Sequence, residues 1–241
     1  MRTKVIYASD VIPHFVPSHD NEKLGGILGV SYLPMDGLDY LKSGLLLTDV
    51  YGTCGHVDCS QCARKCYAVS SNRRFEHVTY KNVCNTLQLR ENMAQHFKDI
   101  ENYIVTHNVT IVRYTESGEI ESFEQFKMLV NLARKLRNVR FYLYTKNYDV
   151  LRRFFASSVL PDNMIVLVSV WGNVGREQWN EFKVYKNIKC FAVNSDLNPR
   201  IYCPAYKKDE HGKVRLNKAM TCEKCGLCYR SKVSVIGCLE H

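Results

Sequence analysis

The sequence lacks the long apolar run that a membrane-spanning helix requires. Its longest apolar stretch, from Met164 to Gly172, has about nine residues, whereas a spanning helix needs roughly 18 or more. Asp10 and Pro13 interrupt the first residues before an apolar signal-peptide core can form. We therefore expect a cytoplasmic protein with no membrane partner.

The sequence also lacks the signatures of several enzyme classes. Its eight histidines are scattered, and none lies in an acyl-transfer motif, which argues against nucleophilic hydrolysis. The pair Gly25-Gly26 lacks the Gly-Lys-Ser or Gly-Lys-Thr ending of a phosphate-binding loop. No internal repeat or low-complexity segment is present. With 241 residues, 46% hydrophobic and 24% charged, the chain has an ordinary globular composition, enough for one large or two small domains.

Cysteine, in contrast, is abundant, with 11 in the chain. Eight of them form two groups, which are Cys54, Cys59, Cys62 and Cys66, and then Cys203, Cys222, Cys225 and Cys228. Cysteines only two residues apart bridge to each other poorly, because a disulfide needs a specific Cα separation and Cβ direction. In a reducing compartment, clustered cysteines more often bind metal. The two groups therefore predict metal ligands.

The spacing within each group favours iron–sulfur clusters over zinc. The first group reads C-x4-C-x2-C-x3-C, which opens with the spacing of plant-type ferredoxins. The second reads C-x2-C-x2-C, the opening of a bacterial ferredoxin motif, with a remote cysteine in Cys203-Pro204. A zinc ribbon places its CxxC pairs roughly 15–20 residues apart, and here about 160 residues separate them. We expect one or two [4Fe-4S] clusters, with zinc as the alternative, above all at the second group.

The remaining cysteines stand outside the two groups. Cys84 lies in a helical pattern and Cys190 in a predicted strand, so we expect both to be buried as small hydrophobic residues. Cys238 lies in a tail that we expect to be flexible, and it is an alternative to Cys203 as the fourth ligand of the second group. His56 is a similar alternative within the first group.

Positive charge is the second excess. There are 33 Lys and Arg against 24 Asp and Glu, which gives a net charge of +9. From Arg200 onward nine Lys or Arg stand against four Asp or Glu, an excess of five. This pattern is equally typical of a nucleic-acid groove and of the cations around an anionic iron–sulfur cluster. Tyr202, Tyr206 and Tyr229, which lie among these cations, fit the nucleic-acid alternative.

The hydrophobic pattern predicts an α/β fold with a parallel sheet. Apolar residues recur on one face of a long helix from about Tyr80 to Ile104. Strands then alternate with helices, which is typical of βαβ units. The predicted strands are Val109–Tyr114, Val139–Thr145, Met164–Trp171 and Ile188–Val193, and the helices between them are Phe123–Leu136, Val150–Phe155 and Glu177–Tyr185.

We divide the chain into three parts. Residues 1–53 form an N-terminal segment with a strand at Lys4–Ala8 and a hairpin between Tyr40 and Tyr51. Residues 54–197 contain the first cysteine group and the α/β region. Residues 198–241 form a turn-rich, basic tail that we expect to bind metal.

Polar or aromatic residues follow each predicted strand. They are Thr115–Glu119, Lys146-Asn147, Trp171–Asn173 and Asn194–Asp196. In parallel α/β folds, chemistry collects at these carboxyl ends, so Glu119 and Lys146 are our catalytic candidates. The alternatives are that Glu119 only begins a helix, that Lys146 is a solvated lysine and that Asn194–Asp196 is a plain turn.

Several short motifs in a fixed order resemble the gene product 88 family of phage proteins. They are Cys62–Ala68 (CARKCYA), Arg113 with Ser117-Gly118-Glu119, Phe141–Lys146 (FYLYTK), and Cys203-Pro204 with Cys222–Cys228 (CEKCGLC). The similarity covers most of the chain. This family is in turn similar to distant radical S-adenosylmethionine enzymes.

The resemblance implies a partial (β/α) barrel with a cluster under its mouth, bound by the first cysteine group, and a second metal site in the tail. It also implies that Ser117, Gly118 and Glu119 occupy the place where radical enzymes hold the methionine amine of S-adenosylmethionine. Those enzymes bind their cluster through CxxxCxxC and leave one iron open. Here the order is CxxC followed by xxxC, and the additional Cys54 would close the cluster.

This departure favours a redox, sensing or structural centre over radical chemistry. A phage protein of this kind would act in the host-cell cytoplasm, with an electron donor or a host protein as its partner. The alternative is a protein whose fold is stabilised by bound zinc or iron–sulfur clusters and which binds nucleic acid or a host protein without catalysis. Binding of labelled DNA or RNA that weakens steeply with salt would support that alternative, and no binding at low salt would remove it.

Overall fold

Short runs of β-branched and aromatic residues form a parallel sheet in the computed structural model, which describes residues 4–18, 21–34, 46–55, 62 and 66–239. In chain order the strands are β1 (Lys4–Ile6), β2 (Leu28–Gly29), β3 (Leu46–Thr48), β4 (Ile111–Tyr114), β5 (Arg140–Thr145), β6 (Met164–Trp171), β7 (Ile188–Val193), β8 (Ile201–Tyr202), β9 (Tyr206–Lys208), β10 (Val214–Leu216) and β11 (Val235–Cys238). Seven of them form the main sheet in the order β2-β4-β5-β6-β7-β11-β8, and every neighbouring pair is parallel. The predicted α/β class with a parallel sheet is confirmed.

Helices connect the central strands. The α-helices of the described ranges are α1 (Tyr67–Arg74), α2 (Glu76–Glu91), α3 (Met93–Thr106), α4 (Phe123–Lys135), α5 (Tyr148–Phe155), α6 (Arg176–Phe182) and α7 (Cys222–Cys225). Within those ranges, each helix is too short or too polar to cross a lipid bilayer. The helices α4, α5 and α6 follow β4, β5 and β6 in turn, which is the βαβ pattern that the sequence predicts.

The two faces of the main sheet are covered by different parts of the chain. Successive residues of β5 point to opposite faces, so Phe141 and Leu143 contact one core while Tyr142 contacts another. The core on the first face, which we call the helix face, contains apolar residues of α3, α4, α5 and α6. The core on the second face, which we call the tail face, contains residues of the segment 203–238. Both faces are therefore buried, as is usual for a parallel sheet.

The predicted long helix from Tyr80 to Ile104 is wrong, because two helices, α2 and α3, meet at Asn92. The φ of −149° and ψ of 75° at Asn92 end the first helix. The Asn92 side chain then accepts a hydrogen bond of 3.0 Å from the Gln95 amide and caps the second. Leu89 of α2 and Phe97 of α3 pack in the same core, so the apolar pattern continues across the break.

The tail is more regular than the sequence predicts. Its strands β8 and β11 join the main sheet, and Ile236 pairs with both Ile201 and Phe191. Cys238, which the sequence places in a flexible tail, lies in β11 with only 4% of its surface exposed. A Cβ atom on Gly237 would lie 2.5 Å from Pro199, so only glycine permits this close packing. The strand was missed because it is short and contains this glycine.

The N-terminal hairpin prediction falls mostly on residues 35–45, which lie outside the described residues. Its last part, β3, pairs in parallel with β1 among the described residues, and the hairpin itself stays a prediction. The strand predicted at Lys4–Ala8 is confirmed over Lys4–Ile6. Cys84 and Cys190 are both 0% exposed, which confirms that they are buried.

Candidate metal centres

The first cysteine group begins at the carboxyl end of the main sheet. The backbone amide of Cys54 donates to the carbonyl of Pro34, at 3.1 Å, and Thr53 donates in the same way to Leu33, at 2.8 Å. The hydroxyl of Thr53 accepts a hydrogen bond of 2.9 Å from the amide of Glu119, which lies shortly after β4. These bonds place Cys54 beside the ends of β2 and β4.

Two further thiols of this group lie near Cys54. The Cys62 and Cys66 thiols are hydrogen-bonded to each other, and this contact, followed by burial, raises the pKa of Cys66. Burial also raises the pKa of Cys54, with a smaller contribution from the Cys62 thiol. The structure thus brings three of the four predicted ligands together, while Cys59 and the alternative ligand His56 lie outside the described residues.

The residues Ser117, Gly118 and Glu119 hold this end of the sheet together. The Ser117 hydroxyl donates to the carbonyl of Tyr32 at 2.9 Å. Gly118 has φ +79°, and a Cβ atom there would lie 2.5 Å from the Thr53 hydroxyl. The segment therefore packs directly against the residue that precedes Cys54.

The Glu119 carboxylate is buried and fully engaged by the protein. It accepts hydrogen bonds of 2.6 Å from the Thr145 hydroxyl, 2.7 Å from the Lys146 amide and 2.8 Å from the Ile120 amide. Burial raises the pKa of Glu119, and the Lys146 charge and these hydrogen bonds oppose that shift. The Lys146 charge also lowers the pKa of Cys54, against the larger effect of burial, so both catalytic candidates lie beside the first cysteine group.

The candidate residues that follow β6 and β7 lie in turns. Trp171 and Val174 exchange backbone hydrogen bonds of 3.0 and 2.9 Å, which closes a tight turn after β6. Asn194 follows β7 with φ +47°, and the nearby Asp196 forms an exposed ion pair with Arg176. These features are those of ordinary turns.

The second cysteine group lies on the tail face of the sheet. Its four predicted members, Cys203, Cys222, Cys225 and Cys228, all line one cavity of about 20 Å³. Burial raises the pKa of the Cys228 thiol to about 12. Tyr142, Tyr144 and Phe191 form the wall that the sheet contributes to this cavity. The topology has therefore joined Cys203 to the three cysteines about twenty residues later, as the remote-ligand spacing predicts.

Hydrogen-bond donors of the sheet are directed at these thiols. The Tyr144 hydroxyl donates to the Cys228 sulfur at 2.9 Å. Within the described residues, two buried donors of the sheet, the Tyr142 hydroxyl and Nε of Arg113, have no hydrogen-bond partner, and Tyr142 lines the same cavity. Unsatisfied buried donors are costly, and they favour an acceptor in their vicinity. Four thiols and the hydroxyls of Tyr142 and Tyr144 in an aromatic pocket form a set that suits an anionic iron–sulfur cluster.

Lys189 holds the cysteine segment on the sheet. Its ammonium group donates to the carbonyls of Leu227 and Ser231, at 2.9 and 2.7 Å, on either side of Cys228. Lys189 is only 6% exposed, and burial lowers its pKa, an effect that the nearby Cys228 opposes. The sequence signal for this contact is a lysine within an otherwise apolar strand, and Lys189 was not among the predicted site residues.

We expect Lys189→Met to lower the free energy of unfolding by about 2 kcal/mol, because two carbonyl groups lose a charged donor. Urea unfolding measures this effect. The matched control is Lys186→Met, since the Lys186–Asp162 pair is exposed at 76% and 85% of its side-chain surfaces. That control should stay within about 0.5 kcal/mol of the parent. Equal losses in the two variants would contradict the anchoring role of Lys189.

Cys238 lies directly beside the second group. Gly237 pairs with Tyr202 in the parallel ladder, so the next residues, Cys238 and Cys203, stand opposite each other. The Cys203 thiol is a minor contributor, after burial, to the raised pKa of Cys238, which is about 12. Cys238 therefore lies close enough to the second group to remain the alternative to Cys203 as its fourth ligand.

The tyrosines that supported nucleic-acid binding differ in their exposure. Tyr202 is 51% exposed, whereas Tyr229 is 2% exposed and stacks on Tyr142 with ring centroids 5.1 Å apart. The ring of Tyr206 lies 4.2 Å from the Lys23 ammonium group. Tyr229 is thus unavailable to stack on a base, and its expected role in nucleic-acid binding is wrong.

The thiols share their surroundings but do not form a coordination geometry. Among the described residues, no group of three or more His, Cys, Asp or Glu side chains is arranged to hold a metal ion.

In a comparison of the chain with protein-family models, residues 19–231 match the model described as gene product 88. No curated protein matches the chain, and no solved structure matches it.

Proposed function

The chain belongs to the gene product 88 family, and we propose that it is an iron–sulfur protein with a redox or sensing role. The proposed first centre uses Cys54, Cys59, Cys62 and Cys66 at the carboxyl end of the sheet. The proposed second centre uses Cys203, Cys222, Cys225 and Cys228 on the tail face. Each centre would hold a [4Fe-4S] cluster, and a partial (β/α) barrel on the radical-enzyme plan would carry both.

One observation above all supports the proposal. Three thiols of one short segment and the thiol of the more distant Cys203 line a single cavity, and a tyrosine hydroxyl donates to one of their sulfurs. Hydrogen bonds to cluster sulfurs and nearby positive charge stabilise an anionic cluster. When bound, such a cluster supplies one-electron chemistry, while rotation of the cysteine side chains would bring their thiolates onto the iron atoms.

The first centre is proposed as closed by four thiolates. Glu119 is engaged by three hydrogen bonds from the protein, so it has little remaining capacity to bind the amine of S-adenosylmethionine. A closed cluster suits electron transfer or sensing, with an electron donor or a host protein as partner. Should one of the four cysteines not be a ligand, one iron would be open, and Glu119 and Lys146, which lie beside Cys54, would be the catalytic candidates of a redox or radical enzyme. We propose that the protein acts in the host-cell cytoplasm.

A second candidate function is nucleic-acid binding by the tail. Its support is an exposed basic surface on the paired strands β9 and β10, which carry Lys207, Lys208 and Arg215, together with the exposed Tyr202 of β8. Binding of labelled RNA or DNA that weakens steeply with salt would support it. Absence of binding at low salt would remove it.

The test is the iron, zinc and acid-labile sulfide content of the full chain purified without oxygen. Two clusters correspond to about eight iron and eight sulfide per chain, with broad absorption near 400 nm that decreases on reduction. Adding S-adenosylmethionine to the reduced protein then tests for an open iron, because a closed cluster leaves the spectrum unchanged. Zinc without sulfide would contradict the proposal and leave a metal-stapled binding protein.

A further inference from the structure

Arg113 lies between the two cysteine groups. It is in β4, points to the tail face and is only 8% exposed. Arginine keeps its charge at any working pH, so burial here places a permanent positive charge inside the protein. Within the described residues, Arg113 forms no ion pair within 4.0 Å, and, against the effect of burial, its charge lowers the pKa of the nearby buried Glu116 carboxylate.

On one side the guanidinium group contacts the residue that follows Cys66 of the first group. Its Nη2 donates to the Tyr67 hydroxyl at 3.3 Å, and Tyr67 directly follows Cys66 in the chain. The Tyr67 hydroxyl in turn donates to the carbonyl of Glu116. The Tyr67 ring is 42% exposed, but these two contacts hold its hydroxyl on the inner side. Arg113 therefore contacts the side chain of the residue directly after Cys66, a proposed cluster ligand.

On the other side the same group contacts the second centre. Its Cζ lies 4.8 Å from the centre of the Tyr144 ring, which is a cation–π contact. Tyr144 donates to the Cys228 sulfur at 2.9 Å. A positive charge over the ring polarises the hydroxyl and strengthens that hydrogen bond. The unpartnered Nε of Arg113 is also buried on this side of the molecule.

We infer that Arg113 is a shared electrostatic residue of both centres, which raises the reduction potential of each. The inference rests on the proposed iron–sulfur function. A cation stabilises the reduced cluster, which carries one more negative charge than the oxidised cluster, and a low effective dielectric strengthens the effect. The two centres would then be tuned together by one side chain, which suits a protein that passes single electrons between them.

The test requires each cluster to be observed alone. Cys228→Ala leaves the first cluster and Cys62→Ala leaves the second, and Arg113→Met is introduced into each background. Reduction potentials come from redox titrations followed by visible absorption and electron paramagnetic resonance. We expect Arg113→Met to lower the potential in both backgrounds, whereas Tyr144→Phe lowers only that of the second cluster. Arg134→Met, at an exposed cation on α4, is the control and should change neither.

The possible results distinguish the role of Arg113 from the proposed iron–sulfur function. Unchanged potentials in Arg113→Met overturn the inference while the iron–sulfur function stands, and a change in only one background overturns the shared role. Absence of iron and sulfide from the parent protein overturns the proposed function itself. Should Arg113→Met fail to fold, Arg113→Gln retains a hydrogen-bonding group beside Tyr67 and removes the charge, and it is judged by the same two potentials.

Discussion

Cys228→Ala is expected to lose about half of the bound iron and sulfide, because it removes one ligand from one of two [4Fe-4S] clusters. The remaining absorption near 400 nm then belongs to the first cluster. Cys228 lies at the cavity, receives the Tyr144 hydrogen bond and is held in place by Lys189 from both sides. Iron and sulfide analysis, with the visible spectrum on the same sample, measures the loss.

Cys190→Ala is the matched control for this prediction. Cys190 is 0% exposed and packs in the core of the helix face, so its strand holds it on the side away from the cavity. Its loss should cost about 1 kcal/mol of packing and no iron. In the same way Cys62→Ala should remove the other half of the iron, whereas the buried Cys84→Ala should remove none. Equal iron in Cys228→Ala and the parent would refute the second site.

Gly118→Ala is expected to lower the free energy of unfolding by about 3 kcal/mol, since positive φ and overpacking act together. The φ of +79° disfavours any side chain, and the new Cβ would lie 2.5 Å from the Thr53 hydroxyl and 2.9 Å from Tyr32. Movement of Thr53 would break its hydrogen bond to the Glu119 amide and displace the adjacent Cys54. We therefore expect reduced iron at the first centre together with the lower stability in urea unfolding.

Gly212→Ala separates the two causes. Gly212 has φ +76°, nearly the same as Gly118, but a Cβ atom there would meet nothing within 4 Å. This control should lose about 1 kcal/mol, which is the cost of the backbone conformation alone. Similar losses at both positions would show that the contact with Thr53 is unimportant, and wild-type iron in Gly118→Ala would show that it does not position Cys54.

Local patterns in the sequence were sufficient for much of this fold. The strands β4 to β7 are mostly apolar, as expected for a sheet buried on both faces, and the helices between them have apolar residues at helical spacing. The buried positions of Cys84 and Cys190 followed from the same patterns. The proximity of Cys222, Cys225 and Cys228 followed from spacing, because one short segment presents their thiols together.

Local patterns failed where the partner is distant in sequence. Asn92 ends one helix and caps the next, yet the apolar residues on both sides keep one period, so the break was invisible. The strand β11 has four residues including a glycine, and it is held by pairing with β7 and β8. Tyr229 was taken as a candidate for base stacking, but it is buried against Tyr142, which is far away in sequence.

The sequence by itself determined two clustered sets of cysteines and a parallel α/β scaffold, because spacing and periodicity are local properties. Only the tertiary structure decided that the tail packs on one face of the sheet, where it meets Tyr144 and Lys189. It also decided that Arg113 stands between the two sets of thiols. Such contacts depend on which segments bury each other's apolar surface, and this burial involves segments that are distant in sequence.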